Sequence, residues 1–519
     1  MADKEQSSKT NETPVSKPFG ASAGVRLWLA ALGSSLVALL IYGCTLSGYL
    51  YPGFSSDLYV QWMGLDALSL PLHPIWGALV KSIGGGTVSS LHMFSAVCGA
   101  LSAGFICYLV GFFAYQTIGQ EDSFKFVGGA SLAAGITSAF VFTFSTAAWL
   151  ASTHLNVRQF DVFLALSLFM LFIPLVRFPR TTYVLSPLLG FAVGVCLLES
   201  PIFVPLMALY FFALITTVVK NGIKFYVPAA LFLVSMVGGF ILALDSVSDA
   251  FLALPGVADG ELADMGDVLW AIANSYKQEI HDWLFRPGCL VVVLLAVLPF
   301  IACSFASVRA LNNDRTWSQY AFHGAMTVCC VLATVTPLAP EALLRPFGVV
   351  PVATTVLVAV VCGYLVAYWY LVARVQLPAA ESSEYDEQRL PAIRFGRKAA
   401  PIVGGTLVGL LALAALVSAF GREGDRGEFA DVCANEILDR MGDRKWLITD
   451  GLLDSHLRLA AAARRQEVNI VCIKARKESE YNAYCRQLAD LVVDRASPPA
   501  TRPASVSRSR SANSAWSSS

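Results

Sequence analysis

Apolar residues along this chain are gathered into long runs rather than alternated with polar ones. They run from about Val25 to Leu46, Leu91 to Tyr115, Phe126 to Leu150, Phe160 to Val176, Val184 to Leu198, Ile202 to Val219, Phe225 to Leu244, Cys289 to Phe305, Tyr320 to Leu338, Phe347 to Val372 and Pro401 to Phe420. A run of roughly 18 to 20 such residues, rising ~1.5 Å each as a helix, crosses the ~30 Å hydrocarbon layer of a bilayer. The pattern predicts an all-α polytopic membrane protein with about eleven transmembrane helices. Composition agrees: 56% of the 519 residues are hydrophobic and 14% charged, where soluble domains carry about a quarter charged. A soluble enzyme is excluded. Nine of the twelve cysteines lie inside apolar runs and read as small packing residues. Cys433, Cys472 and Cys485 lack metal or redox spacing, and a disulfide between two of them stays open.

Net charge is zero, so the overall balance points to no nucleic acid, and the placement of charge is what informs. With a cytoplasmic N-terminus, twelve Lys and Arg fall in the inside loops, from Lys125 to Lys398, against five outside (Lys81, Arg158, Lys277, Arg286, Arg345). That is the sign of the positive-inside bias. Residues 1–24 read as a disordered cytoplasmic segment, 25–420 as the membrane domain, 421–494 as a small extracytoplasmic α/β module and 495–519 as a disordered Ser-, Pro- and Arg-rich tail. The end of the chain has the look of a truncated or frame-shifted outside domain. Its strand–helix–strand pattern is KWLITDG, LLDSHLRLAAAARR, VNIVCI, in which Asp450 and Asp454 either face a ligand or cap the helix.

Two outside loops are long, 47–90 and 245–287. In the second, Met265, Leu269, Ile272, Tyr276, Ile280 and Trp283 recur at helical spacing. This predicts a helix lying on the membrane surface or on the outer end of the bundle. In the first, Ser55 or Ser56 is placed to cap a short helix beginning at Asp57 and ended by Pro71 and Pro74. Asp57 and Asp66 are nine residues apart, about two and a half turns, so they face opposite sides. Asp66 reads as solvated. Asp57 is suited either to be a general base for an acceptor hydroxyl or to place favourable charge at a helix start. His73 is either a phosphate or proton site or a turn residue before Pro74. Glu199, between two apolar runs, either lines a substrate pocket or pairs with an arginine.

With these residues in place, the chain resembles the GT-C membrane glycosyltransferases, in particular the bacterial family similar to protein O-mannosyltransferases. Three features carry the resemblance. An acidic residue, Asp57, and then His73-Pro74 follow the first span, where relatives have Asp-Ser-Gly-Glu and His-Pro-Pro-Gly-Tyr-Pro. The stretch THLNVRQFDVFLALSLFMLF from Thr153 is similar to a Glu-Val-Tyr-x-Leu stretch, with Asn156 at the acidic position. LLGFAVGVCLLESPIF from Leu188 is similar to a Gly-rich helix with a polar break, here Glu199, Ser200 and Pro201.

The resemblance implies a GT-C-like bundle that moves a sugar, mannose in the family, from a polyprenyl-phosphate carrier to an acceptor hydroxyl on an exported protein or a glycolipid. Inversion occurs at the sugar carbon, at the outer face of a bacterial inner membrane. It implies Asp57 as base. Arg345 is the first choice to hold the donor phosphate, with Arg158 and Arg286 behind it, because an arginine fork grips phosphate bidentately; Arg345 serves equally as an interfacial anchor. Gln61, His73, His154 and Glu199 would line the substrate pocket, with Asp161 a weaker candidate. No tightly held metal or cofactor is expected, and a carboxylate-bound divalent ion is left open. The rival readings are a transporter or flippase, with ionisable residues in mid-span, and a non-catalytic envelope scaffold.

Overall fold

The computed structural model describes residues 21–63, 65, 73–82, 87–118, 126–252, 266, 269–270, 273, 276–277, 281, 316–334, 352–374, 384–420 and 427–472. Among them, nine helices are long and apolar enough to cross a membrane. Their packing is consistent with lipid as the outer solvent. In α1 (Ala21–Cys44), Leu27, Ala31, Ala38 and Tyr42 face inward, while Leu29, Leu32, Leu36 and Leu40 are more than half exposed. Buried serines on the next helices, Ser102 on α4 (Val88–Ile118) and Ser138 on α5 (Val127–Phe144), return their hydroxyls to carbonyls four residues back. An interior of small and self-satisfied polar groups with large apolar groups outside is a membrane arrangement.

Two apolar cores result. The larger joins α1, α4, α5, α12 (Thr316–Thr334), α13 (Val352–Arg374) and α14 (Glu384–Phe420). The second joins α7 (Val157–Met170), α8 (Phe172–Arg177), α9 (Thr182–Glu199), α10 (Phe203–Lys220) and α11 (Tyr226–Leu252) around Leu189, Val193, Phe203, Tyr210 and Phe232. α9 and α11 touch backbone to backbone. A Cβ on Gly194 would stand 2.0 Å from the Met236 carbonyl oxygen, and one on Gly239 2.2 Å from that of Phe191. Only glycine permits this approach, the logic of small residues at spaced positions in membrane helices.

The predicted run from Phe126 to Leu150 is broken. Ser145 is extended (φ −68°, ψ 146°), and its hydroxyl accepts from the Ala148 N–H at 3.2 Å, so α5 stops and α6 (Thr146–Thr153) begins as a separate, N-capped helix. In the first loop the helix starts earlier than Asp57. α2 spans Phe54–Trp62 after Gly53 at φ +87°, placing Ser55, Ser56 and Asp57 in its first turn rather than as caps. It ends at Trp62, ahead of the prolines. Pro74 instead opens a second helix, α3 (Pro74–Ser82), a position where its missing N–H costs nothing.

The second long loop carries helical residues at 266, 269–270, 273, 276–277 and 281. Tyr276 donates to the Leu197 carbonyl and packs with Leu198, Phe240 and Leu244, which fastens this segment to the C-terminal half of α9 and to α11. Trp270 is 69% exposed. The predicted spans Cys289 to Phe305 and the start of Phe347 to Val372 lie outside the described residues.

Strand, helix and strand follow the last span as the pattern predicted. After α15 (Glu428–Met441), β1 (Trp446–Thr449) and β2 (Asn469–Cys472) pair in parallel with Trp446 opposite Asn469, crossed over by α16 (Asp454–Ala463). Leu438, Met441, Leu457, Ala461 and Ile470 form their core. α16 rests on α2: Ser455 donates to the Asp57 carboxylate, and Leu459 joins the cluster that holds Leu58, Tyr59 and Trp62. The C-terminal elements therefore sit at the same end of the bundle as the first loop.

Candidate functional site

The site is built from the first turn of α7, the last residue of α9 and the start of α3. Asn156 is the N-cap of α7. Its side chain accepts from the Arg158 N–H at 2.8 Å, while its own N–H donates to the Ser95 hydroxyl of α4 at 3.2 Å. Gln159 donates to Ser102 of α4 at 3.3 Å. With its first turn anchored in this way, α7 presents Arg158 and Asp161 on one face, since residues three apart are neighbours on a helix. The Arg158 guanidinium lies 3.4 Å from Asp161 Oδ2 and 3.2 Å from the Ser200 hydroxyl. Arg158 is a third exposed and Asp161 is buried.

Glu199 closes α9 and is fully buried. Its carboxylate accepts from the Ile75 N–H at 2.7 Å and the Trp76 N–H at 3.2 Å, two of the N–H groups that α3 cannot satisfy within itself. The partial positive charge of that helix start compensates the carboxylate. This explains how a carboxylate is tolerated between two apolar runs. Of the two expectations for Glu199, pocket lining or an arginine partner, the structure shows a third contact: Glu199 caps α3, while the Arg158 guanidinium contacts Asp161.

His73 precedes α3 at φ +69°, a left-handed conformation that a histidine adopts at some cost. Its Nδ1 stands 3.8 Å from Glu199 Oε1 and makes no hydrogen bond among the described residues. Burial, with the nearby Arg158 charge, holds the His73 pKa down to about 3, so the ring is neutral at pH 7. One donor atom each from His73, Asp161 and Glu199 lie within 4.8 Å of one another.

No family model matches the chain, and no curated protein is a significant match. The resemblance thus rests on the motif positions alone.

The structure brings together four of the expected residues, His73, Arg158, Asp161 and Glu199, from loop and spans up to 126 positions apart in the chain. The contacts seen for His154 are with other residues. It is buried at the end of α6, its Nδ1 3.1 Å from Thr153 Oγ1, with its ring against Tyr51 and His92. Asp57 is exposed and accepts from Ser455. Gln61 belongs to α2, but its side chain is outside the described part, as are Asp66, Arg286 and Arg345 altogether. Ser200 and the α3 N–H groups were missed as site components. The i, i+3 spacing of Arg158 and Asp161 was a signal open to sequence reading; backbone donors carry no residue signature.

Proposed function

We propose that this protein is an inverting GT-C-type glycosyltransferase that moves a sugar from a polyprenyl-phosphate carrier to an acceptor hydroxyl at the outer face of the membrane. The observation that carries the reading is the gathering of Arg158, Asp161, Glu199 and His73 at the end of the bundle that also bears Asp57 and the C-terminal elements. A lipid-linked donor has its phosphate at that depth. Arg158, partly exposed and oriented by Asp161 and Ser200, is placed to meet the phosphate. Asp57 takes the proton of the acceptor hydroxyl, whose oxygen attacks the anomeric carbon from the face opposite the phosphate. The sugar–phosphate C–O bond breaks, and the polyprenyl phosphate leaves with its charge on Arg158. The Ser455 hydroxyl already seated on Asp57 supports the capacity of this carboxylate to receive a hydroxyl donor. Mannose and an exported protein are the donor sugar and acceptor we favour, in a bacterial inner membrane with the C-terminus outside.

Eleven crossings remain our reading of the topology. The eight described spans after α1 return the chain to the end where α2 and α16 meet. α12 buries Met326 and Cys330 in the main core. If it also crosses, one more crossing is needed before it, where Cys289 to Phe305 is available. A transporter reading has one observation in its favour: within the bundle, buried His323 bonds Tyr364 at 2.9 Å and stacks on Tyr368, and Trp369 donates to Thr327.

The test is sugar transfer in membranes containing the protein, with a panel of polyprenyl-phosphate sugars and extracts of exported proteins. Asp57→Asn should lower transfer at least about a hundredfold, the scale of a lost general base. Absence of transfer from every donor, with folded protein moving lipid-linked sugar across vesicles instead, would replace this reading by the transporter.

A further inference from the structure

We infer that His73, Asp161 and Glu199 form a binding site for a first-row divalent transition-metal ion such as Mn2+ or Zn2+, taken by one imidazole nitrogen and two carboxylate oxygens. This departs from the sequence expectation of no resident metal and is independent of which reaction the protein catalyses.

Two donor atoms at this point have no partner among the described residues: Asp161 Oδ1, on a residue only 2% exposed, and His73 Nδ1. Leaving a buried carboxylate oxygen without a partner is costly. Asp161 Oδ2 faces Arg158, while Glu199 Oε2 accepts from Ile75 and Oε1 from Trp76; these contacts orient both carboxylates, and each Glu199 oxygen keeps a second lone pair.

The spacing discriminates between occupants. The 3.8 Å from His73 Nδ1 to Glu199 Oε1 is too long for a direct hydrogen bond, which ends near 3.2 Å. A bridging water, ~2.8 Å from each, would have to subtend an angle of only about 85°. A metal at ~2.1 Å from each would subtend about 130°, and a contraction of about 0.4 Å brings it to tetrahedral. All three donor atoms lie within 4.8 Å of one another, and Asp161 Oδ1 has no hydrogen-bond partner among the described residues. A mixed nitrogen and oxygen set with positions left open selects Mn, Fe, Co or Zn over Mg and Ca. The left-handed backbone at His73 (φ +69°) holds the residue in place beside Glu199 before any ion arrives. Under the proposed function, such an ion and Arg158 would flank the donor phosphate.

The test uses the full chain, purified without an affinity tag of histidines, stripped with a chelator and reloaded with Mn2+. One ion per chain should survive desalting. Histidine labelled with 15N should change the nitrogen modulation of the Mn2+ electron spin echo. Asp161→Asn and His73→Gln should each weaken binding at least tenfold, with unchanged elution on gel filtration showing that the variants fold, and His73→Gln should abolish the nitrogen signal. No ion retained by the wild type, or equal retention and an unchanged nitrogen signal in folded His73→Gln, overturns the site. Neither assay involves a sugar donor, so the site can fail while the transferase reading stands, and the reverse.

Discussion

Gly238 and Gly239 are adjacent in α11, yet they should answer alanine substitution with opposite signs. A Cβ on Gly238 meets nothing within 4 Å, whereas one on Gly239 would lie 2.2 Å from the Phe191 carbonyl oxygen and 3.0 Å from its carbon. Those atoms are backbone of α9 and cannot swing away. Restoring an ordinary separation of about 3.2 Å requires α9 and α11 to part by about 1 Å, and overpacking of this kind costs ~1–3 kcal/mol. Gly239→Ala recovers up to about 1 kcal/mol through helix propensity, so its net effect is a loss of ~1–2 kcal/mol; Gly238→Ala keeps that gain without the clash. Because the propensity gain is common to both, thermal and denaturant unfolding in one detergent should separate the variants by the overpacking cost alone, ~1–3 kcal/mol. Equal effects, or a Gly239→Ala protein as stable as wild type, would refute the close approach. α9 ends at Glu199, five residues after Gly194, so displaced helices should also draw that carboxylate off the start of α3 and lower whatever activity the site supports.

Asn156→Ala removes the cap of α7 and should destabilise by ~1 kcal/mol, with a larger effect on transfer than on melting because Arg158 follows the cap by two residues. Arg158→Lys keeps charge but not the fork, and transfer should fall at least tenfold at saturating acceptor. An Asp57→Cys/Ser455→Cys pair should form a disulfide in isolated membranes, read as a mobility shift on non-reducing gels; no cross-link under mild oxidation would remove α16 from α2. Trp369→Phe deletes the hydrogen bond to Thr327 and should cost ~1 kcal/mol while leaving transfer unchanged.

The helical, membrane-spanning character was legible because lipid imposes one rule on every residue of a span, and the runs from Val25 to Leu46 and Phe225 to Leu244 obey it. The break at Ser145 was not, since a single capping serine inside an apolar run changes hydropathy hardly at all. Of the site, Arg158 and Glu199 announced themselves as charges at span ends. Their partners did not: Glu199 is met by N–H groups that any residue would supply, and His73 reaches it across 126 positions through loop geometry that periodicity does not encode. Asp57 drew attention as an isolated acid, yet its observed partner, Ser455, comes from a segment whose docking no local pattern foretold.

The contact between α2 and α16 also sets an order of events during synthesis. Its two sides are 398 residues apart, so at about 5–20 residues per second the ribosome needs about 20–80 s after finishing the first loop before its cover exists. Throughout that interval the end of the bundle that carries the first loop lacks the Ser455 contact to Asp57 and the Leu459 packing against α2. α16 thus completes a surface begun by the first loop, and any chain halted before it carries that surface unfinished.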